Sequence, residues 1–184
     1  MIFSTTAAYA IYPMAAQIDE IIGNLNSAGC RDEEVCVLLA PTHRLAQAVR
    51  DAKVAPRVLN SDSPTSDLLR WLSRFGAVII PGVAFFVSSR VFLRAVLAPC
   101  PATQNSGYAD RLIGLGLPPK EADRYGERLS RDAIIVFVCC NGEARAQWIR
   151  EILRTTGAEE TACLQEAVGT AYADDRESPL PAVT

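Results

Sequence analysis

A mixed α+β fold built from two β-α-β halves is what the sequence predicts, and three observations predict it. Near the N-terminus, apolar runs at residues 7–11 and 35–40 flank an amphipathic stretch. Near the C-terminus the pattern recurs, with apolar runs at 133–140 and 161–164 around a second amphipathic stretch. Between the halves lies a long segment, 41–131, that carries the most hydrophobic part of the chain. The predicted organisation is one α+β domain over 1–171, with 41–131 as an insertion and 172–184 as a flexible C-terminal tail.

The elements follow in order. Residues 7–11 form a short strand that ends at Tyr12-Pro13. In the next stretch Ile18, Ile21, Ile22 and Leu25 recur at i, i+3, i+4 and i+7, one apolar stripe of a helix. Gln17, Asp19, Glu20 and Asn24 fall off that stripe, and Gly29 suits the position just past the helix end. The run 35–40 is continuously apolar, as in a central strand. The pattern then dissolves from Pro41 to Ser66, with a turn-rich SDSPTS segment at 61–66. A helix is predicted at 67–75, with Leu68, Leu69, Leu72 and Phe75 on one side.

Residues 76–97 raise the question of a membrane span. The uncharged run from Phe75 to Ser89 is 15 residues long and is interrupted by Pro81-Gly82, whereas a spanning helix needs about 20. The prediction is a buried strand-turn-helix or an oligomer contact. A short helix follows at 108–115, and Pro118-Pro119 open another in which Ala122, Tyr125 and Leu129 face inward. The run 133–138, AIIVFV, is the strongest strand signal in the chain. Residues 143–156 make a helix stopped at Gly157, with Ala144, Trp148, Ile149, Ile152 and Leu153 inward, before a weak last strand at 161–164. With paired helices on one face of an antiparallel sheet, this is a ferredoxin-like β-α-β-β-α-β sandwich with a long, mainly helical insertion between its second and third strands.

Apolar residues make up 49% of the chain and charged residues 21%, as in a folded soluble protein. The net charge of −3 gives no global electrostatic case for nucleic acid or an acidic membrane. Arg124, Arg128 and Arg131 stand among Glu121, Asp123, Glu127 and Asp132, and read as a solvated helix face. The N-terminus lacks a basic leader, and the six cysteines include no CxxC pair, so a reducing cytoplasm is expected.

The side chains with chemistry in them form no recognised constellation. His43 is the one histidine, in a loop segment after the second strand, and no cysteine or carboxylate stands at metal-ligand spacing from it. Cys139-Cys140 ends the strongest strand, where alternation sends one thiol toward the helices and the other to the opposite sheet face. The neighbouring strand bears Cys36, within reach of one of them. A reactive thiol needs a base or a positive environment, and no such group stands nearby in sequence. Gly114-Leu115-Gly116 lacks the preceding strand and third glycine of a dinucleotide loop and reads as a helix cap and turn. No catalytic residue, metal ligand or cofactor is predicted.

Three segments carry a family resemblance. Residues 112–125, LIGLGLPPKEADRY, match L-x-x-L-G-[IL]-P-x-x-x-A-x-x-Y. Ile80-Pro81-Gly82-Val83 precedes them, and Ile152-Leu153 with Gly157-Ala158 closes the order as I-L-x-x-x-G-A. Together they resemble the bacterial heat-induced or general stress protein-like family, whose function is unknown and which supplies no catalytic residues to carry over. The chain departs from the family pattern where Phe85, Phe86, Val91 and Phe92 replace small residues of a glycine-rich middle.

The expected function is therefore a non-enzymatic stress-associated or regulatory one, exercised through a homodimer or a partner. Val83, Phe85, Phe86, Val91 and Phe92 are the candidate interface, and the insertion, a second subunit or both would cover the open sheet face. The alternative is small-molecule binding or catalysis in a pocket between sheet and insertion, lined by His43, Arg44, Tyr108 and Tyr125. A third reading is peripheral membrane contact through 83–97.

Overall fold

The structure, a computed structural model, describes residues 6–40, 42–44, 76–80, 83–87, 107–131 and 133–165. Its elements are β1 (Thr6–Pro13), α1 (Ile18–Ser27), a 3-10 turn (Asp32–Glu34), β2 (Val35–Leu39), β3 (Gly76–Ile80), β4 (Val83–Val87), α2 (Tyr108–Gly114), α3 (Pro119–Arg131), β5 (Ala133–Cys140), α4 (Glu143–Thr155) and β6 (Glu160–Leu164). The strands make one six-stranded sheet in the order β3-β4-β2-β5-β1-β6. Every neighbouring pair is antiparallel. Hence β1 and β2 run parallel with β5 between them, and β5 and β6 run parallel with β1 between them. The helices α1 and α4 make those two crossovers.

Two strands exceed the sequence expectation. Where a strand-turn-helix is expected from Gly76, residues Gly76–Ile80 and Val83–Val87 are both strands. The run Val83-Ala84-Phe85-Phe86-Val87 is β-branched and aromatic, and it satisfies the outer main-chain groups of β2 from Cys36 to Leu39. Of the expected helix at 67–75, the loops around 61–66 and the tail 172–184, all lie outside the described residues.

The strands β1, β2 and β5 are buried on both faces. On one, Ala8, Ala10, Tyr12, Val37, Ile134 and Val136 pack against Ile18, Ile21, Ile22 and Leu25 of α1 and Ala146, Ile149 and Leu153 of α4. On the other, Tyr9, Ile11, Leu38, Ile135 and Phe137 pack against Leu112 of α2, Leu115 and Leu117 of the turn, and Ala122, Tyr125 and Leu129 of α3. Helices from the 41–131 segment thus cover the face that the two β-α-β halves leave open. Burial of each of Leu112, Leu115 and Leu129, all 0% exposed, contributes on the order of 2 kcal/mol. Gly29 (φ 75°) and Gly157 (φ 89°) stand one residue beyond the caps of α1 and α4, in the left-handed conformation expected there.

The inward stripe of α4 differs from expectation. Trp148 is 51% exposed and Ala144 is also on the surface. Ala146, Ile149 and Leu153 are the buried residues, and Trp148 lies about 100° round the helix from Ile149. Ala146 packs with Ile149 and Leu153 in the core on that face of the sheet. Among the described residues, no helix is long and apolar enough to cross a membrane.

Candidate functional site

The densest polar constellation among the described residues lies where α3 crosses β1 and β6. Tyr9, in the middle of β1, alternates onto the α3 side and stacks on Phe137 of β5, with ring centroids 5.3 Å apart. Tyr125 meets it edge-on at 5.7 Å and 68°. The Tyr9 hydroxyl donates to Glu121 Oε2 at 2.9 Å, and the Tyr125 hydroxyl donates to Glu160 Oε2 at 3.0 Å. Arg124 Nη2 donates to the same Glu160 oxygen at 2.9 Å and to the Tyr125 hydroxyl, with its guanidinium 4.5 Å from the Tyr125 ring centroid. Arg128 reaches Glu160 Oε1 at 3.3 Å and also pairs with Glu159.

Burial, with the hydrogen bonds to Tyr125 and Glu121, pushes the Tyr9 phenol far above its ordinary value. Burial also raises Tyr125, and the bond to Glu160 adds to that rise. At neutral pH both phenols keep their protons, so they act as hydrogen-bond donors to carboxylates and not as general bases. The arrangement clamps α3 to the two strands at the β6 side of the sheet. It also revises the reading of the α3 arginines: Arg124 and Arg128 reach across to β6 and the residue before it, while Glu121 serves Tyr9. Sequence reasoning found Tyr125 but missed Tyr9, Glu121 and Glu160. The available signal was the polar stripe 121, 124, 125, 128, which repeats at i, i+3, i+4, i+7 beside the apolar one.

The other candidate binding residues are elsewhere. His43, expected as a surface or loop residue, lies just past β2 but is 2% exposed, and its Nε2 lies 3.2 Å from the Met14 carbonyl oxygen in the β1–α1 turn. Burial lowers its pKa, which keeps the ring neutral at pH 7. Arg44 is exposed beside it. Tyr108 opens α2, half-buried, with its phenol raised by burial. Of the candidate interface, Val83, Phe85 and Phe86 fall in β4, a strand paired on both sides, with Phe85 opposite Leu38 and Phe86 opposite Val37. Val91 and Phe92 lie outside the described residues.

The thiols are placed for packing. Cys140 faces the α1/α4 core and Cys139 the α2/α3 core, as strand alternation requires. Burial pushes Cys140 up to about 11 and Cys139 up to about 12. Cys36 is fully buried and raised further, with Cys139 near enough to add to the effect. All five described cysteines are free.

A cleft of about 720 Å³ opens at the end of the sheet where Thr6 begins β1 and Leu164 ends β6. Gly116 and Pro118 of the α2–α3 turn and Gly142 and Glu143 at the start of α4 complete its walls with Gln165. Its volume is in the range of small-molecule sites. None of His43, Arg44, Tyr108 and Tyr125 is among the lining residues. His43 is at the opposite end of β1, eight residues away, or roughly 26 Å at 3.3 Å per residue. Among the described residues, no group of three or more histidines, cysteines and carboxylates is placed to hold a metal ion. Comparison with protein-family models, with curated proteins and with solved structures yields no match in any of the three.

Proposed function

We propose that this chain is a non-enzymatic stress-associated or regulatory module of ferredoxin-like architecture that works in the cytoplasm as a homodimer. The strand order β2-β5-β1-β6, with α1 and α4 as crossovers, supports that architecture, with β3 and β4 as an addition at the β2 edge. The resemblance of 112–125 and 152–158 to the stress protein-like family supports the functional class. The observation that carries the reading is the employment of the polar groups: Tyr9, Glu121, Arg124, Tyr125, Arg128 and Glu160 spend their hydrogen bonds holding α3 on the sheet. Groups tied up in this way order a scaffold instead of handling a substrate. Native mass spectrometry at micromolar concentration tests the proposal: a dimer without bound small molecule is expected, and a monomer overturns it.

The cleft at Thr6, Gly116 and Gly142 favours a second reading, a small-molecule site where the 41–131 segment meets the sheet. A co-purified ligand, seen in the same spectrum as a discrete added mass, would favour it. Loss of that mass in Gly116→Trp would place the ligand in the cleft.

A further inference from the structure

We infer that Cys30 and Cys140, gathered beside Arg145 at one end of the sheet, are a redox pair that a hydroperoxide closes into a disulfide. The inference stands apart from the homodimer reading. Cys30 ends the turn after α1, where its N–H donates to the Leu25 carbonyl at 2.9 Å. The pairing of Val35 with Val138 sets Cys140, two residues further along β5, beside the 3-10 turn Asp32–Glu34 that follows Cys30. Alternation turns Cys140 to the same face as Val138, and both thiols belong to the core under α1 and α4. Arg145, in the first turn of α4, fastens the two segments. Its Nη2 donates at 3.2 Å to the Gly29 carbonyl, the oxygen of the peptide bond to Cys30, and at 2.9 Å to Glu34 Oε2.

A thiol becomes a nucleophile where a positive group favours its thiolate, and here the fold supplies the cation that local sequence lacks. Burial raises both thiols, and Arg145 opposes the rise at each. The charge of Cys30 also acts on Cys140, which sets the two sulfurs near one another. Arg145 is partly exposed, and its Nε is buried without an acceptor among the described residues, so a donor is left over for a charged sulfur. Cys36 and Cys139 on the other face differ. The groups that act on them are each other, Cys140 and Glu34, and all of these oppose a thiolate. In the proposed reaction the Cys30 thiolate attacks one peroxide oxygen and the O–O bond breaks. The departing oxygen takes up the proton that the thiol released, and the sulfur, oxidised by two electrons, is a sulfenic acid. The Cys140 sulfur then attacks the Cys30 sulfur, an S–S bond replaces the S–O bond, and water leaves. Two thiols and one hydroperoxide thus give a disulfide, an alcohol (water, from hydrogen peroxide) and water.

The full chain, reduced and freed of reductant, is treated with hydrogen peroxide, its remaining thiols are blocked with N-ethylmaleimide in denaturant, and unreduced peptides are read by mass spectrometry. Wild type is compared with Cys30→Ser, Cys139→Ser and Arg145→Gln, and with wild type oxidised in urea. The expected result is a Cys30–Cys140 linked peptide in wild type and in Cys139→Ser, reversed by dithiothreitol and absent from Cys30→Ser. The link should form more slowly in Arg145→Gln. Should a variant not fold, native and urea-unfolded wild type decide alone, with the link expected to form faster in the native protein. Native wild type in which Cys30 and Cys140 stay free, or in which the disulfide runs through Cys36, Cys139 or Cys163 instead, overturns the pair. A link that forms no faster in the native protein than in urea overturns the claim that the fold brings the thiols together, and an unchanged rate in Arg145→Gln removes the arginine from the reaction.

Discussion

Gly126→Ala and Gly23→Ala are the same chemical change at two helical positions, and the structure predicts opposite signs for them. Gly126 is buried in α3 where that helix crosses α2. A Cβ added there would lie 3.0 Å from Ala109 N, 3.4 Å from Ala109 Cα and 3.4 Å from Tyr108 Cβ. Two of those atoms are backbone of α2, which cannot swing aside as the tip of a flexible side chain can. Gly23 is on the outer side of α1, and a Cβ there meets no atom within 4 Å. Both substitutions gain about 1 kcal/mol of helix propensity. At Gly23 nothing opposes that gain. At Gly126 it is opposed by overpacking of about 1–3 kcal/mol, leaving the variant up to about 2 kcal/mol less stable.

The propensity gain cancels between the two variants, so their difference, about 1–3 kcal/mol, reads the packing cost alone. Urea denaturation measures it directly. In thermal unfolding of a chain of this size, Gly23→Ala should melt about 2–4 °C higher than wild type, and Gly126→Ala at or below wild type. A Gly126→Ala protein stabilised as much as Gly23→Ala would show that α2 is not seated on α3 at this distance.

His43 should make stability pH-dependent. Its folded pKa is below the free value of 6.5 because it is buried, so the unfolded chain binds more protons and stability falls as pH drops below 6.5. Denaturation midpoints at neutral and mildly acidic pH should show a smaller acid loss in His43→Gln, and an identical slope would refute the assignment. Tyr125→Phe removes the hydroxyl that bonds Glu160 and should cost about 1 kcal/mol. In a double-mutant cycle with Glu160→Gln the coupling should exceed about 0.5 kcal/mol, and additivity would show that the clamp does not act as a unit. For the thiols, iodoacetamide at neutral pH followed by peptide mass spectrometry should leave Cys36 and Cys140 unmodified in the native protein. Modification at the unfolded rate would contradict their burial.

The parts of the fold legible in the sequence are those where one element's pattern is decided by one neighbour. Ile18, Ile21, Ile22 and Leu25 repeat at helical spacing because a single sheet face receives them, and Ala122, Tyr125 and Leu129 do so for the opposite face. The pairing of β3 with β4 was not legible because 75–87 is uncharged and largely apolar, and such a run does not distinguish a buried strand from a buried helix. Trp148 misled for a related reason: it extends an apolar helical stripe, yet Ala146, Ile149 and Leu153 are the residues that face the sheet. The clamp was the least legible feature. Tyr9 and Glu121 are 112 residues apart, and Tyr125 and Glu160 are 35 apart. Their meeting depends on β6 pairing with β1 and on α3 lying over both, neither of which leaves a mark in local sequence.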